Sequence, residues 1–414
     1  MRDYHQRWLE IRLHDALADT PVVLLNGARQ SGKSTLAQAA AEAAGGTYLT
    51  LDDPTLLAAA ASDPVSFVER SERLLVIDEI QKAPALFPAI KRSVDRKRTP
   101  GRFLLTGSAD VFMLPQLSES LAGRMEVLTL QPLAQGEIEA TPPALIPALF
   151  ANRPPTTLPA TAGHLEKRLA AGGFPEALQR NRQERRRAWF DAYVTTITQR
   201  DIRELSNISD LTALPRLLNL LAVRSGSLLN VAELARASGV AQATLHRYLA
   251  LLETTFLFQP LPAWHANLGK RLIKAPKAYL LDSGLAYALS GTDASSLTNA
   301  PHYGGLLETF VLGELRRHCA ALPSPPRLFH YRSAGGVEVD FVIEDAAGHC
   351  IGIEVKATKS LGEKHFSGLR DMHSTLGKQF ASGVVLYGGE QAVQFGERLW
   401  AVPASSLWAN SPPP

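Results

Sequence analysis

Two short stretches carry side chains suited to chemistry on a polyphosphate. "GARQSGKST" (27–35) has the spacing GxxxxGK[ST], directly after the apolar run "VVLL" and before the helix-forming "TLAQAAAEAA". A glycine turn between a strand and a helix lets backbone N–H groups converge on phosphate oxygens, and the helix N-terminus favours anions. Gly27, Ala28, Arg29, Gln30, Ser31, Gly32, Lys33, Ser34 and Thr35 thus form a candidate cradle for Mg-ATP. Lys33 reaches the β/γ-phosphates and the Ser34 hydroxyl ligates Mg²⁺. In "LLVIDEI" (74–80), four apolar residues bury a strand whose end delivers Asp78 to the metal and Glu79 to the attacking water. "RFLLTGSAD" supplies another buried strand ending in hydroxyls. Thr106 or Ser108 senses the γ-phosphate there, or else only shapes a turn.

A second constellation lies near the other end. In "VEVDFVIED" (337–345), alternation sends Val337, Val339, Phe341 and Ile343 to one face and Asp340 to the other. In "GIEVKAT" (352–358), Glu354 and Lys356 stand opposite the apolar Ile353 and Val355, so a hairpin brings Asp340, Glu354 and Lys356 together. Upstream, Glu308 sits among Leu306, Leu307, Phe310 and Val311 of a helical pattern, where a carboxylate needs a partner or a metal. Glu308, Asp340 and Glu354 are candidate ligands for a second Mg²⁺ or Mn²⁺ that would polarise a scissile phosphate. Lys356 would position the water. A plain salt bridge on a sheet is the competing explanation.

These residues must be positioned by more than one core, because 414 residues exceed what a single compact core holds. The 45% hydrophobic content excludes a wholly disordered chain. A net charge of +3 leaves the case for a nucleic-acid partner to local clusters. Two cysteines without a CxxC, no secretory segment and no apolar run of about 20 residues lead to the expectation of a cytoplasmic protein outside the membrane. Short apolar runs alternate with helical segments from Pro21 to about Pro143, which predicts a parallel sheet with crossover helices. The expected organisation is residues 1–150 for the phosphate-binding domain with a leading helix, 151–163 as a Pro/Thr-rich linker, and 164–210 as a helical lid. A helical and stranded module follows over 211–295, and the carboxylate-bearing domain takes 296–414.

In the module, "NVAELARASGVAQATLHRYLALLE" has helix-turn-helix spacing. Gly239 allows the turn, and Leu234, Val240, Leu245 and Tyr248 occupy core positions. The second helix exposes Gln242, Thr244, His246 and Arg247 to DNA. Two strands around a Gly269 turn then carry Lys270, Arg271, Lys274 and Lys277, a basic wing for phosphate contacts. Winged helices also serve as spacers and protein-docking modules. The basic run "RNRQERRRAW" (180–189) is read as a solvated helix face.

Taken together, "GARQSGKST", "LLVIDEIQKAP", "LLTGSA", "LAGR", "QRDI", "YLLDSGLA", "LLETFVLGEL", "EVDFVI" and "IEVKA" resemble prokaryotic AAA+ ATPases of the archaeal-ATPase-like branch. Those proteins are fused to a winged helix and a PD-(D/E)xK nuclease-like domain. The resemblance implies an α/β fold: a P-loop AAA+ ATPase domain with a helical lid, a winged helix, and an α/β restriction-endonuclease-like domain. It also implies Mg-ATP hydrolysis, a homo-oligomer such as a ring, and duplex or branched DNA (a Holliday junction, for example) as partner. An arginine at the position of Arg124 reaches the next subunit's γ-phosphate in such rings, although here it also suits a helix C-terminus. "GGFPEAL" is similar to the GxP element of signal-transducing AAA-like ATPases, which would place Pro175 near the nucleotide. Ala109 departs from the pattern, where a second serine is expected after "TGS". A DNA motor, an ATP-gated nuclease and a nucleotide-controlled assembly switch are the three functions compatible with this set.

Overall fold

The computed structural model describes residues 4–108, 121–155, 164–205, 211–267, 269, 271, 274–333 and 335–409. The chain divides into two compact units. One comprises Leu9–Pro132 with Thr254–Leu257; the other comprises Met1–Trp8, Leu133–Glu253 and Phe258–Pro414.

The smaller unit is a five-stranded parallel sheet, β1 (Val22–Asn26), β2 (Thr47–Thr50), β3 (Leu75–Asp78), β4 (Phe103–Gly107) and β5 (Met125–Thr129), in the order β2-β3-β4-β1-β5. All five strands match apolar runs of the sequence. Every residue of β1, β3 and β4 is buried, as central strands covered on both faces require. Helix α1 (Glu10–Asp19) leads in and α2 (Lys33–Ala43) follows the glycine turn. Helix α2 is rich in alanine, the best helix former, and buries Leu36, Ala37, Ala40 and Ala41. Helix α3 (Pro54–Ser62) is capped by Asp53, whose carboxylate accepts from the Thr55 and Leu56 amides. Helix α4 (Pro64–Val68) is a short turn, and α5 (Leu86–Arg96) buries Leu86, Phe87, Ala89, Ile90 and Val94.

The larger unit takes in residues that the sequence pattern groups with the phosphate-binding domain. Leu133 N donates to Gly173 O at 2.7 Å and Gln135 N to the Glu314 carboxylate at 3.0 Å, so residues 133–150 pack here. Helix α6 (Gln183–Thr196) is followed by α7 (Leu214–Val223), α8 (Val231–Ser238) and α9 (Gln242–Thr254). Gly239 adopts φ +75° after α8, and Leu234, Leu245 and Tyr248 are buried. An antiparallel pair, β6 (Phe258–Leu261) and β7 (Lys277–Leu280), follows α9. Then come α10 (Ser283–Ser290) and α11 (Tyr303–Ala320).

A six-stranded mixed sheet completes the unit: β8 (Arg327–Arg332), β9 (Glu338–Glu344), β10 (Cys350–Lys356), β11 (Phe380–Tyr387), β12 (Val393–Gly396) and β13 (Leu399–Pro403), ordered β12-β13-β11-β10-β9-β8. Helix α12 (Ser367–Leu376) packs on it through Leu369 and Met372. Burial along β9 and β10 is nearly continuous, so these strands have no solvent face. Cys319 and Cys350 are free, buried thiols, and burial pushes both up to about 12. Among the described residues no helix is long and apolar enough to cross a membrane.

Candidate functional site

The glycine turn closes on its own lysine. Gly27 (φ +143°) lies so near β5 that a Cβ there would stand 2.2 Å from Leu130 O, and Gly32 (φ +100°) turns the chain into α2. Ala28 and Ser31 are buried, Arg29 and Ser34 half-buried, and Gln30 and Thr35 exposed, the nine cradle residues running from the turn into the start of α2. Lys33 is buried, and its ammonium donates to Gly27 O at 3.0 Å and Ala28 O at 2.9 Å. Those carbonyls hold the cation in the mouth of the loop.

Asp78, at the end of β3, is the centre of a hydroxyl cluster. Ser34 Oγ donates to its two carboxylate oxygens at 3.0 and 3.1 Å, Tyr48 OH at 2.8 Å, and Thr106 Oγ1 at 2.5 Å. Thr50 Oγ1 lies at 3.4 Å. The Ser34 hydroxyl and the Asp78 carboxylate are the hard oxygens that Mg²⁺ takes, and their adjacency fits that ion. Burial raises the Tyr48 phenol above its ordinary pKa, reinforced by the Asp78 charge, so it stays a donor. Sequence reading missed Tyr48 because its partner is 30 residues away on the neighbouring strand. Tyr48→Phe is expected to raise the Mg²⁺ concentration for half-maximal ATP turnover about tenfold, because an orienting hydrogen bond to a ligand is lost. Turnover measured across a Mg²⁺ series at fixed ATP checks this.

Glu79 takes φ +59°, a left-handed conformation that costs a non-glycine residue about 1–3 kcal/mol and recurs at reactive sites. Its amide donates to Thr106 Oγ1 at 3.0 Å, so Thr106 serves both acids from β4. The Glu79 carboxylate accepts from Ser108 Oγ at 3.2 Å and from the Gln81 amide. The two candidate sensor hydroxyls therefore separate: Thr106 is fully buried, whereas Ser108 is half-buried beside Glu79. Arg124, at the start of β5, pairs with Asp95 of α5 at 2.5 Å and donates to Ala122 O at 3.0 Å. The helix expected before it falls outside the described residues, as does Ala109.

The second constellation comes together as expected but is closed. Ile353 pairs with Phe341 across β10 and β9, which sets Asp340 opposite Glu354. Asp340 and Glu354 are 8% and 7% exposed. Asp340 accepts from Val355 N at 2.9 Å, and Glu354 accepts from Lys356 at 2.7 Å. Glu308 accepts from Tyr279 OH at 2.8 Å. Between Glu308 and Asp340 stands Lys277, with Nζ 3.1 Å from the first and 3.3 Å from the second. Burial, then the Asp340 charge, pushes Glu308 up to about 7 and Glu354 up to about 8. Burial works to lower the Lys277 ammonium, but the charges of Glu308 and Asp340 outweigh it. Among the described residues no group of three or more acids, histidines or cysteines is spaced to hold a metal ion. The expected second Mg²⁺ or Mn²⁺ site gains no support, since four of its six carboxylate oxygens already accept from two lysines, a tyrosine and a backbone amide.

Of the expected basic wing, Arg271 and Lys277 are engaged by carboxylates. Residues 262–264, after β6, run along β8, where His330 N donates to Pro262 O at 2.9 Å and Trp264 N to His330 O at 2.6 Å. This backbone pairing covers the edge of β8. Arg271 makes a bidentate pair with Glu344, both contacts at 2.7 Å, and lies over the Trp264 ring. Lys274 donates to Arg332 O at 3.1 Å, and Lys277 is buried. Lys270 lies outside the described residues. On α9, Gln242, His246 and Arg247 are exposed and Thr244 is half-buried.

Pro175 opens a short helix (Pro175–Leu178) of the larger unit. The glycines before it have a packing cause within that unit. A Cβ on Gly172 would lie 2.1 Å from the Asp282 carboxylate, and one on Gly173 would lie 2.2 Å from Leu133 O. Asp282 accepts from Gly173 N at 2.8 Å and caps α10 through Leu285 N at 3.1 Å, so "GGFP" and "YLLDSG" are two halves of one contact.

Comparison with known proteins gives three family matches: an AAA domain over residues 19–139, a domain of unknown function (DUF8612) over 162–296 and another (DUF4143) over 303–407. Among solved structures, the Walker-type ATPase of Pyrococcus abyssi is 14% identical with a TM-score of 0.41, covering 69% of this chain and 96% of that one. The Holliday junction branch migration motor RuvB of Thermotoga maritima is 20% identical with a TM-score of 0.29, covering 61% and 89%. The uncharacterized proteins Rv2008c of Mycobacterium tuberculosis and Mb2031c of Mycobacterium bovis are each 34% identical over 399 residues, covering 96% of this chain and 83% of theirs. The chain belongs to the family of these two mycobacterial proteins.

Proposed function

We propose that this protein is a Mg-dependent ATP hydrolase whose turnover responds to DNA bound by the larger unit. The meeting of Ser34 and Asp78 at 3.0 Å beside the Lys33 ammonium carries the ATPase part. Bound Mg²⁺ would neutralise charge on the β- and γ-phosphates. Lys33 would leave the Gly27 and Ala28 carbonyls for phosphate oxygens. Glu79 would orient the attacking water, with Ser108 holding its carboxylate. In a homo-oligomer, Arg124 would leave Asp95 to meet a neighbour's γ-phosphate, where a guanidinium offsets transition-state charge.

DNA engagement is read from α7, α8, α9 and the β6-β7 pair as a winged helix, with Gln242, Thr244, His246 and Arg247 toward the duplex. The expected organisation into a lid, this module and a C-terminal domain is kept in the same sense. Arg271 and Lys277 drop out, since buried carboxylates hold them. A branched or duplex substrate is tested by measuring steady-state ATP hydrolysis at low salt with single-stranded, duplex, forked and four-way DNA. Stimulation is expected, and Arg247→Ala with His246→Ala should weaken it without changing the DNA-free rate. Hydrolysis unmoved by every DNA form would remove DNA and leave the ATPase. No Mg-dependent hydrolysis at all would remove both.

A further inference from the structure

We propose that the Lys277 ammonium is the built-in cation of the Glu308–Asp340–Glu354 cluster, standing where a divalent ion would have to bind. The cluster then joins two modules instead of holding a metal. Lys277 lies on β7 within the region matched over 162–296, whereas Glu308 and Asp340 lie on α11 and β9 within the region matched over 303–407. Its side chain is 6% exposed and touches both acids. No role is left for it as a phosphate contact on a wing.

Four of the six carboxylate oxygens have donors in place. Asp340 gives Oδ1 to Lys277 and Oδ2 to the Val355 amide. Glu308 Oε2 takes both Lys277 and the Tyr279 hydroxyl, and Glu354 Oε2 takes Lys356. The backbone is shaped to the Glu308 carboxylate as it stands. At Gly226, φ +85°, a Cβ would stand 2.9 Å from Glu308 Oε2, so any larger residue there would crowd the acid.

Charge leads to the same conclusion. Three carboxylates face two ammonium groups, a near balance that a single retained proton completes. Burial and the Asp340 charge push Glu308 to about 7 and Glu354 to about 8, which favours such a proton near neutrality. A divalent ion among these acids would sit beside a buried ammonium and repel it strongly in a poorly screened interior. A second tie, the bidentate Arg271–Glu344 pair, joins the same two regions, so the joint has two ionic anchors. On this proposal the cluster does not serve metal-dependent strand cleavage, although the residue types for it are present.

The test uses the full chain without nucleotide, titrated with Mn²⁺ while the free ion is followed by electron paramagnetic resonance. Wild type is expected to show no Mn²⁺ binding that Asp340→Asn removes. Lys277→Met is expected to lower the melting temperature by about 10 °C, because it strands buried carboxylates. Where it folds, it should gain a Mn²⁺ site that a further Asp340→Asn abolishes. If Lys277→Met alone does not yield folded protein, combining it with Asp340→Asn should restore folding. A wild-type Mn²⁺ site removed by Asp340→Asn would overturn the proposal. So would a Lys277→Met protein that melts with wild type, or a double variant that is no better than the single one.

Discussion

Glu79→Gln is expected to cut ATP turnover by about 10²–10⁴-fold while nucleotide binding persists, the range a positioned base contributes. The amide keeps the size of the side chain and can still accept from Ser108, so the strained turn after β3 has its contacts. What disappears is basicity at the point where the attacking water must be oriented. Lys33, Ser34 and Asp78 remain in place, and these are the groups proposed to grip Mg-ATP. Steady-state hydrolysis together with equilibrium binding of a fluorescent ATP analogue checks both halves. Turnover within about threefold of wild type would mean that Glu79 serves only the loop, and Ser108 and Gln81 would then be its structural partners. Loss of binding along with turnover would mean that the acid is needed to build the loop.

The strand, turn and helix of the candidate cradle were legible because their pattern is written contiguously. Residues 27–35 must be a strand exit, a glycine turn and a helix start, and local preference alone encodes all three. Tyr48 and Thr106 were harder, because they serve Asp78 from strands β2 and β4 on either side of β3. Their proximity follows from strand order rather than spacing. In the C-terminal sheet, alternation put Asp340, Glu354 and Lys356 on one face, and the strand register then sets Asp340 opposite Glu354. Alternation could not tell what lies over that face, since period-two patterning reports sidedness and not cover. Lys277 is 31 residues from Glu308 and 63 from Asp340, and Arg271 is 73 from Glu344. Lysines and arginines in a polar stretch are usually solvated, so without the long-range partner both pointed to phosphate. The "GGFP" glycines mark a special backbone in sequence. Only the fold supplies Asp282 as the reason.

Arg317→Met is expected to destabilise the larger unit by about 3–5 kcal/mol, the cost of leaving buried carboxylates without their cation. Arg317 lies 2.9 Å from Glu314 and 3.9 Å from Asp282, and those acids are 1% and 2% exposed. Asp282 holds the Gly172–Gly173 turn and caps α10, while Glu314 accepts from Gln135 N, so three segments converge on this one guanidinium. The pH dependence fixes the sign. Burial raises both carboxyl groups, Glu314 to about 7, and Arg317 opposes that rise. A carboxyl raised in the folded state binds its proton there at a pH where the unfolded chain has released it, so stability is gained as pH falls toward the unfolded value. Removing Arg317 raises both groups further. The Glu314 share of the Arg317→Met deficit should therefore shrink as pH falls from the alkaline side toward about 7, and adding Glu314→Gln should recover part of it at the upper end. Chemical denaturation across that range checks this; a deficit that is flat with pH would show that the loss is one of packing around the arginine stem rather than of charge.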